Sequence, residues 1–202
     1  MHFHVFAALG MAAVATAQLS AVPIIRHIAP GTNCTDATSE CRTPEQSAPW
    51  IAQSMADHGI YSVSQMAAVI ALMAFESVDF TFKRNQFPGR PGQGTANMQM
   101  PAFNLEYAKS LDGVKDQVAD IASVEGLTDE ELDGILDLVV PDEYNFGSGA
   151  WFLTSECAPE VRAQLDENID TGFDAYMACV GVEVTEDRLA YLERAKEAFG
   201  LV

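Results

Sequence analysis

Positive charge is scarce in this chain: 11 Lys and Arg stand against 29 Asp and Glu, a formal net charge of −18. So acidic a chain argues against nucleic-acid binding, which relies on cations at phosphates. It gives anionic membranes and polyanionic cell walls no electrostatic reason to bind, whereas a neutral or cationic partner is tolerated. Taken by itself, the charge is better explained by solubility in an extracellular medium. Histidine is also rare, with 4 in the chain, two of them at His2 and His4. Several signatures are missing altogether. There is no Gly-x-Ser-x-Gly for a serine hydrolase and no Gly-x-x-x-x-Gly-Lys-Ser/Thr for a phosphate loop. There is no Cys-x-x-Cys of the usual zinc spacing, and no apolar run of about 20 residues for a membrane anchor. Strand-type alternation is scarce, so a mainly α fold is predicted, with at most a small hairpin or extended loop near residues 80–100. No cofactor and no metal is expected.

What is present begins with residues 1–17, which hold no Asp, Glu, Lys or Arg and end in Ala15-Thr16-Ala17. A short apolar core before an Ala-x-Ala site is the pattern of a secretory signal peptide, here with a weak basic start. A secreted, extracellular protein is therefore expected, with its mature chain starting near Gln18. The 4 cysteines, Cys34, Cys41, Cys157 and Cys179, fit that oxidising compartment. Three pairings are open, and the local one is predicted: Cys34–Cys41 and Cys157–Cys179. Asn33-Cys34-Thr35 matches a glycosylation acceptor. Residues 18–42 read as an irregular N-terminal arm broken by Pro23, Pro30 and Gly31.

Helix signals dominate the rest. Thr43-Pro44-Glu45-Gln46 combines a cap, a first-position proline and a capping-box Gln. A second helix starts at Ser62 or Ser64 and runs to Ser77. Helices are predicted again over 114–124, from Thr128, and over 150–157, 159–167, 171–180 and 186–199. Asp129, Glu131, Asp133 and Gly134 imitate the start of a calcium loop, but Val140 stands where a bidentate Glu is required. Acids in the first turn of a helix explain them better.

The stretch 64–77 carries the chemistry. Met66, Val69, Ile70 and Met73 form an apolar stripe that leads to Glu76 and Ser77. A carboxyl at the edge of such a stripe is a candidate proton donor, although a frayed helix end with its Glu in water has the same sequence. Asp79 follows as a candidate second carboxylate. Residues 85–99 are then rich in Gly, Pro, Asn and Gln, groups suited to sugar hydroxyls and acetamides as well as to a plain surface loop.

Three motifs follow in order: Glu76-Ser77, Gly94-Thr95-Ala96-Asn97-Met98-Gln99-Met100-Pro101, and Tyr144-Asn145-Phe146-Gly147. Together they resemble the lysozyme-like superfamily, most closely the soluble lytic transglycosylases, over about residues 62–150. The chain departs from that pattern at Val78-Asp79, at Asn97, at Phe146 and in the insertion 87–93. The resemblance implies a lysozyme-like helical domain over 43–202 that cleaves β-1,4-linked N-acetylated amino-sugar polymers of the peptidoglycan type. It implies Glu76 as general acid and base, with Gln99, Tyr144 and Asn145 holding the sugar and Ser77 orienting Glu76; Ser77 and Asn97 are also candidate substrate-binding residues. A polysaccharide or oligosaccharide is then the partner and a monomer is expected. A chitosan or chitin hydrolase and a non-catalytic secreted binding protein on the same scaffold are the alternatives.

Overall fold

The computed structural model describes residues 20–35 and 40–202, so the expected signal peptide lies outside the described residues. Its centre is α3 (Val63–Glu76), in which every residue from Ala67 to Ala74 is buried. A helix buried on all faces is a core helix rather than an amphipathic surface one. The sequence stripe named one face; the alanines at 67, 68, 71 and 74 bury the others and let neighbours come close.

Around α3 the chain wraps α1 (Ala21–Ile28), α2 (Pro44–Asp57), α4 (Pro101–Ser110) and α5 (Asp129–Val139). It continues with two short turns, α6 (Asp142–Asn145) and α7 (Ser148–Trp151), then α8 (Pro159–Glu167), α9 (Ile169–Val180) and α10 (Glu186–Phe199). Helices α1, α7, α8, α9 and α10 all touch α3 directly. Gly149 marks the tightest approach: a Cβ there would lie 2.7 Å from Met73 Sδ and 3.0 Å from Val69 Cγ1.

Local capping signals do their work. Gln46 Oε1 accepts from the Thr43 N–H at 2.8 Å, and Glu131 Oε2 accepts from the Thr128 N–H at 2.7 Å. Both cystines form as predicted, Cys34–Cys41 and Cys157–Cys179, with Cα separations of 5.4 and 5.7 Å. Two disulfides suit an oxidising, extracellular-type environment. No helix among the described residues is long and apolar enough to cross a membrane.

Three expectations are corrected. The arm 18–42 contains α1, whose Ile24, Ile25 and Ile28 are buried; Pro23 falls in the first turn, where its missing N–H costs nothing. The helix expected over 114–124 is only a 3₁₀ turn at Lys115–Gln117. The region expected to be helix over 150–157 changes pitch after α7 into a π-turn, Phe152–Glu156, ending at Cys157.

No strand forms among the described residues; the α3–α4 connection closes instead with single bridges Arg84–Gly94 and Gly94–Gln99. Only glycine fits at position 94, where a Cβ would meet Lys83 O at 2.4 Å and Leu136 Cδ1 at 2.7 Å. Glu40 Oε2 accepts the backbone N–H groups of Lys83 and Arg84, and the Lys83 ammonium reaches Val140 O at 2.8 Å and the Asp142 carboxylate. The loop is thus pinned at its root.

Candidate functional site

Glu76 is the last residue of α3, and the backbone turns sharply behind it. Val78, Asp79 and Phe80 have φ of 52°, 55° and 61°, a left-handed turn made without glycine. Left-handed backbone costs about 1–2 kcal/mol per residue, so something must hold it. Ser77 Oγ donates to Met73 O at 2.6 Å and accepts the Phe80 N–H at 2.9 Å. The Gly31 N–H donates to Asp79 Oδ2 at 3.0 Å, and Phe80 is buried edge-on against Phe146, ring centres 5.7 Å apart. Strain concentrated beside one carboxyl is a pointer to function.

The carboxyl itself is held from the C-terminal helix. Arg188 Nη2 donates to Glu76 Oε1 at 2.8 Å, with side chains only 14% and 19% exposed. The guanidinium lies 4.5 Å over the Phe75 ring, and its Nη1 donates to Glu183 O at 3.1 Å. Beside this pair Tyr176 is fully buried with its hydroxyl unpartnered; burial, and then the Glu76 carboxylate, push that phenol well above its usual range. One turn along α10, Tyr191 packs edge-on to Phe75 at 5.6 Å. Burial and the neighbouring Asp79 carboxylate push the Tyr191 phenol up to about 12.

Glu76 opens onto two cavities of about 280 Å³ each. One is walled by Asn97, Gln99, Phe103, Phe152 and Val180–Val182. The other is walled by Val78, Phe82, Asn85 and Phe87. Both share Glu76, Gln93 and Met98, so they form one groove with the carboxyl at its waist. Asn97 Oδ1 and Gln99 Oε1 are buried without partners among the described residues. Gln99 is oriented by its other end, where Nε2 donates to Asn104 Oδ1 at 3.0 Å. Thr95 and Met98 also hold positive φ, 66° and 45°, and Met98 lines both lobes. Arg90 lines the groove, and its Nη1 meets the Met100 sulfur at 2.9 Å.

The structure therefore brings together Glu76, Asn97 and Gln99 of the predicted site residues. Ser77 is not available to a substrate: it is wholly buried and serves the turn behind Glu76. Asp79 lines neither lobe, because the left-handed turn aims it at Gly31. Asn145 is buried with Oδ1 unpartnered and lines neither lobe, and Tyr144 lines a separate depression beside Trp50 and His58. Among the described residues no group of three or more His, Cys, Asp or Glu side chains is placed to hold a metal ion.

Sequence reasoning missed Arg188 and the 180–182 wall, which the Cys157–Cys179 cystine ties to the π-turn bearing Phe152. A signal existed for Arg188. A cation three residues past the Thr185 cap opposes the helix dipole, so its place needs another reason.

Comparison with known proteins adds one relative and little chemistry. A bifunctional dioxygenase–epoxy alcohol synthase of Fusarium oxysporum (strain Fo5176) is 55% identical over 157 residues, which is 77% of this chain. The match spans 12% of that protein's length, so the activities in its name belong to a far larger molecule. No protein-family model matches the chain, and no solved structure matches it.

Proposed function

We propose that the protein is a secreted glycan-cleaving enzyme, acting on β-1,4-linked N-acetylated amino-sugar polymers with Glu76 as general acid and base. The observation that carries this is the groove passing across a single carboxyl with a lobe on either side. A polymer lying in it has sugar units on both sides of the bond beside Glu76. The amides of Asn97 and Gln99 on the groove wall are groups of the kind that meet sugar hydroxyls or an acetamide N–H.

In this reading Arg188 occupies Oε1 of Glu76 and leaves Oε2 for the substrate. In its acid form, with the proton on Oε2 while Oε1 still accepts from Arg188, Glu76 gives that proton to the glycosidic oxygen as the bond to the anomeric carbon breaks. The positive charge at that carbon is met by the substrate's own acetamide oxygen, since Asp79 lines neither lobe. Glu76, now a carboxylate, takes a proton from water, or from a hydroxyl of the same sugar, as that oxygen bonds to the anomeric carbon and displaces the acetamide; in the second case a ring closes. A two-carboxylate hydrolase needs its second acid about 5–10 Å away across the bond.

Arg90 separates the substrate readings. It forms no ion pair among the described residues, so a cation faces the groove. That favours neutral or acidic sugars there over the fully cationic chitosan of the second reading. The test is incubation with peptidoglycan, chitin and chitosan, followed by mass analysis of released fragments. Products one water lighter than hydrolysis fragments mean ring closure. Asp79→Asn should leave turnover within a few-fold of wild type. Release of no fragment from any of the three contradicts the proposal.

A further inference from the structure

The Tyr144 motif, which the Glu76 groove does not use, belongs to a second cavity. It measures about 280 Å³ and shares no lining residue with either lobe of the groove. Its walls are the rings of Trp50 and Tyr144, with Gln53, Asp57, His58 and Glu143 around them. Trp50 is 39% exposed, on the solvent-facing side of α2.

The cavity is built rather than incidental. A Cβ at Gly113 would come 2.2 Å from the Tyr144 hydroxyl, so glycine makes room for the phenol. The Tyr107 hydroxyl donates to Tyr144 O at 2.8 Å, and Ser54 Oγ donates to Phe146 O at 3.1 Å, fixing the backbone of α6 against α2 and α4. Gln53 Nε2 donates to Asp57 Oδ1 at 2.7 Å and orients that carboxylate. His58 Nδ1 donates to Ser54 O at 2.9 Å, which leaves Nε2 for another partner.

We propose that this cavity binds a cationic amino-sugar unit, a glucosamine-type ring with a free ammonium. Two carboxylates, Asp57 and Glu143, line it, and no Lys or Arg is among the described residues that line it. An ammonium there is attracted by both carboxylates and by the faces of the aromatic rings. The C–H face of a pyranose stacks on Trp50 while Gln53 and His58 meet hydroxyls. The volume lies at the small end of ligand sites and suits one ring. The site stands apart from the Glu76 chemistry and would hold a free-amine unit of a partly deacetylated polymer beside the groove. An N-acetylated ring has no positive charge to offer it.

The test uses the full chain carrying Glu76→Gln, so that no probe is cleaved. Trp151 is only 5% exposed, so a change in tryptophan emission reports chiefly Trp50. Glucosamine trimer should alter emission saturably, whereas N-acetylglucosamine trimer, cellotriose and trilysine should bind at least about tenfold more weakly. Asp57→Asn combined with Glu143→Gln, checked for fold by thermal melting, should weaken the glucosamine trimer by about tenfold or more. Calorimetry with Trp50→Ala should show the same loss without relying on fluorescence. No saturable binding, equal binding of the N-acetylated trimer, equal binding of trilysine, or binding unchanged in the carboxylate variant each overturns the proposal.

Discussion

Replacing Arg188 by Met tests the join between α10 and the end of α3 without requiring any activity. The change removes a charge-assisted hydrogen bond to a carboxylate that is 19% exposed, worth about 1.5–3 kcal/mol. It also removes the guanidinium from above Phe75, about 0.5–1 kcal/mol more. Against this, Arg188 Nε is buried without a partner, and its loss returns part of the cost. The net loss should be about 2–3 kcal/mol, or about 5–10 °C in Tm for a domain of this size. Glu76→Gln keeps an acceptor oxygen for Nη2 and loses only the charge, so it should cost about 1 kcal/mol. The double variant should then be less destabilised than the sum of the singles, by about 1 kcal/mol. Urea unfolding of the four proteins, read as a double-mutant cycle, measures that difference. Additivity to within about 0.3 kcal/mol would mean that the two side chains do not interact, and the clamp on Glu76 would be refuted.

Other outcomes follow from the same geometry. Gly149→Ala drives a methyl into Met73 and Val69 and should cost about 1–3 kcal/mol. Gly134→Ala, inside α5 with nothing within 4 Å, should stabilise by about 0.5–1 kcal/mol, and thermal melts of the pair check both signs. Removing Cys157–Cys179, which spans 22 residues, should cost about 3 kcal/mol, against about 2 for the 7-residue Cys34–Cys41 span, by urea unfolding of the paired Ser variants. Burial opposes ionisation of Asp142, but the hydrogen bonds from Lys83 and Arg42 win and hold its carboxyl below the usual range. Its folded pKa is thus depressed, so its contribution is complete above the unfolded pKa of about 3.9 and is lost as pH falls through the folded value. The fall in unfolding free energy below about pH 4 should therefore be shallower in Asp142→Asn.

Helices with strong local punctuation were legible from sequence. The bounds expected for 159–167 and 186–199 are those of α8 and α10, because Pro159, Thr185 and Gly200 act within one turn. The failures are also local. Pro23 has the look of a breaker in the sequence, yet proline is harmless in a first turn. Val114, Val118 and Ile121 have helical spacing, but successive i→i+3 bonds such as Gln117 N–H to Val114 O and Ile121 N–H to Val118 O satisfy it equally. Glu76, Asn97 and Gln99 could be grouped because only 23 residues separate the first from the last. Arg188 lies 112 residues from Glu76, and only the packing of α10 on α3 brings them together. Tyr144 shows the converse: a motif at the expected spacing says nothing of which side of α4 its ring will occupy.

The most direct measurement is turnover of wild type and Glu76→Gln on whichever of peptidoglycan, chitin or chitosan is cleaved, with both proteins shown to melt as folded domains. An amide cannot deliver a proton at neutral pH, so the variant should lose about 10²–10⁴-fold in kcat. Wild-type turnover by Glu76→Gln on a glycan that the protein cleaves would contradict the assignment of Glu76 as the acid.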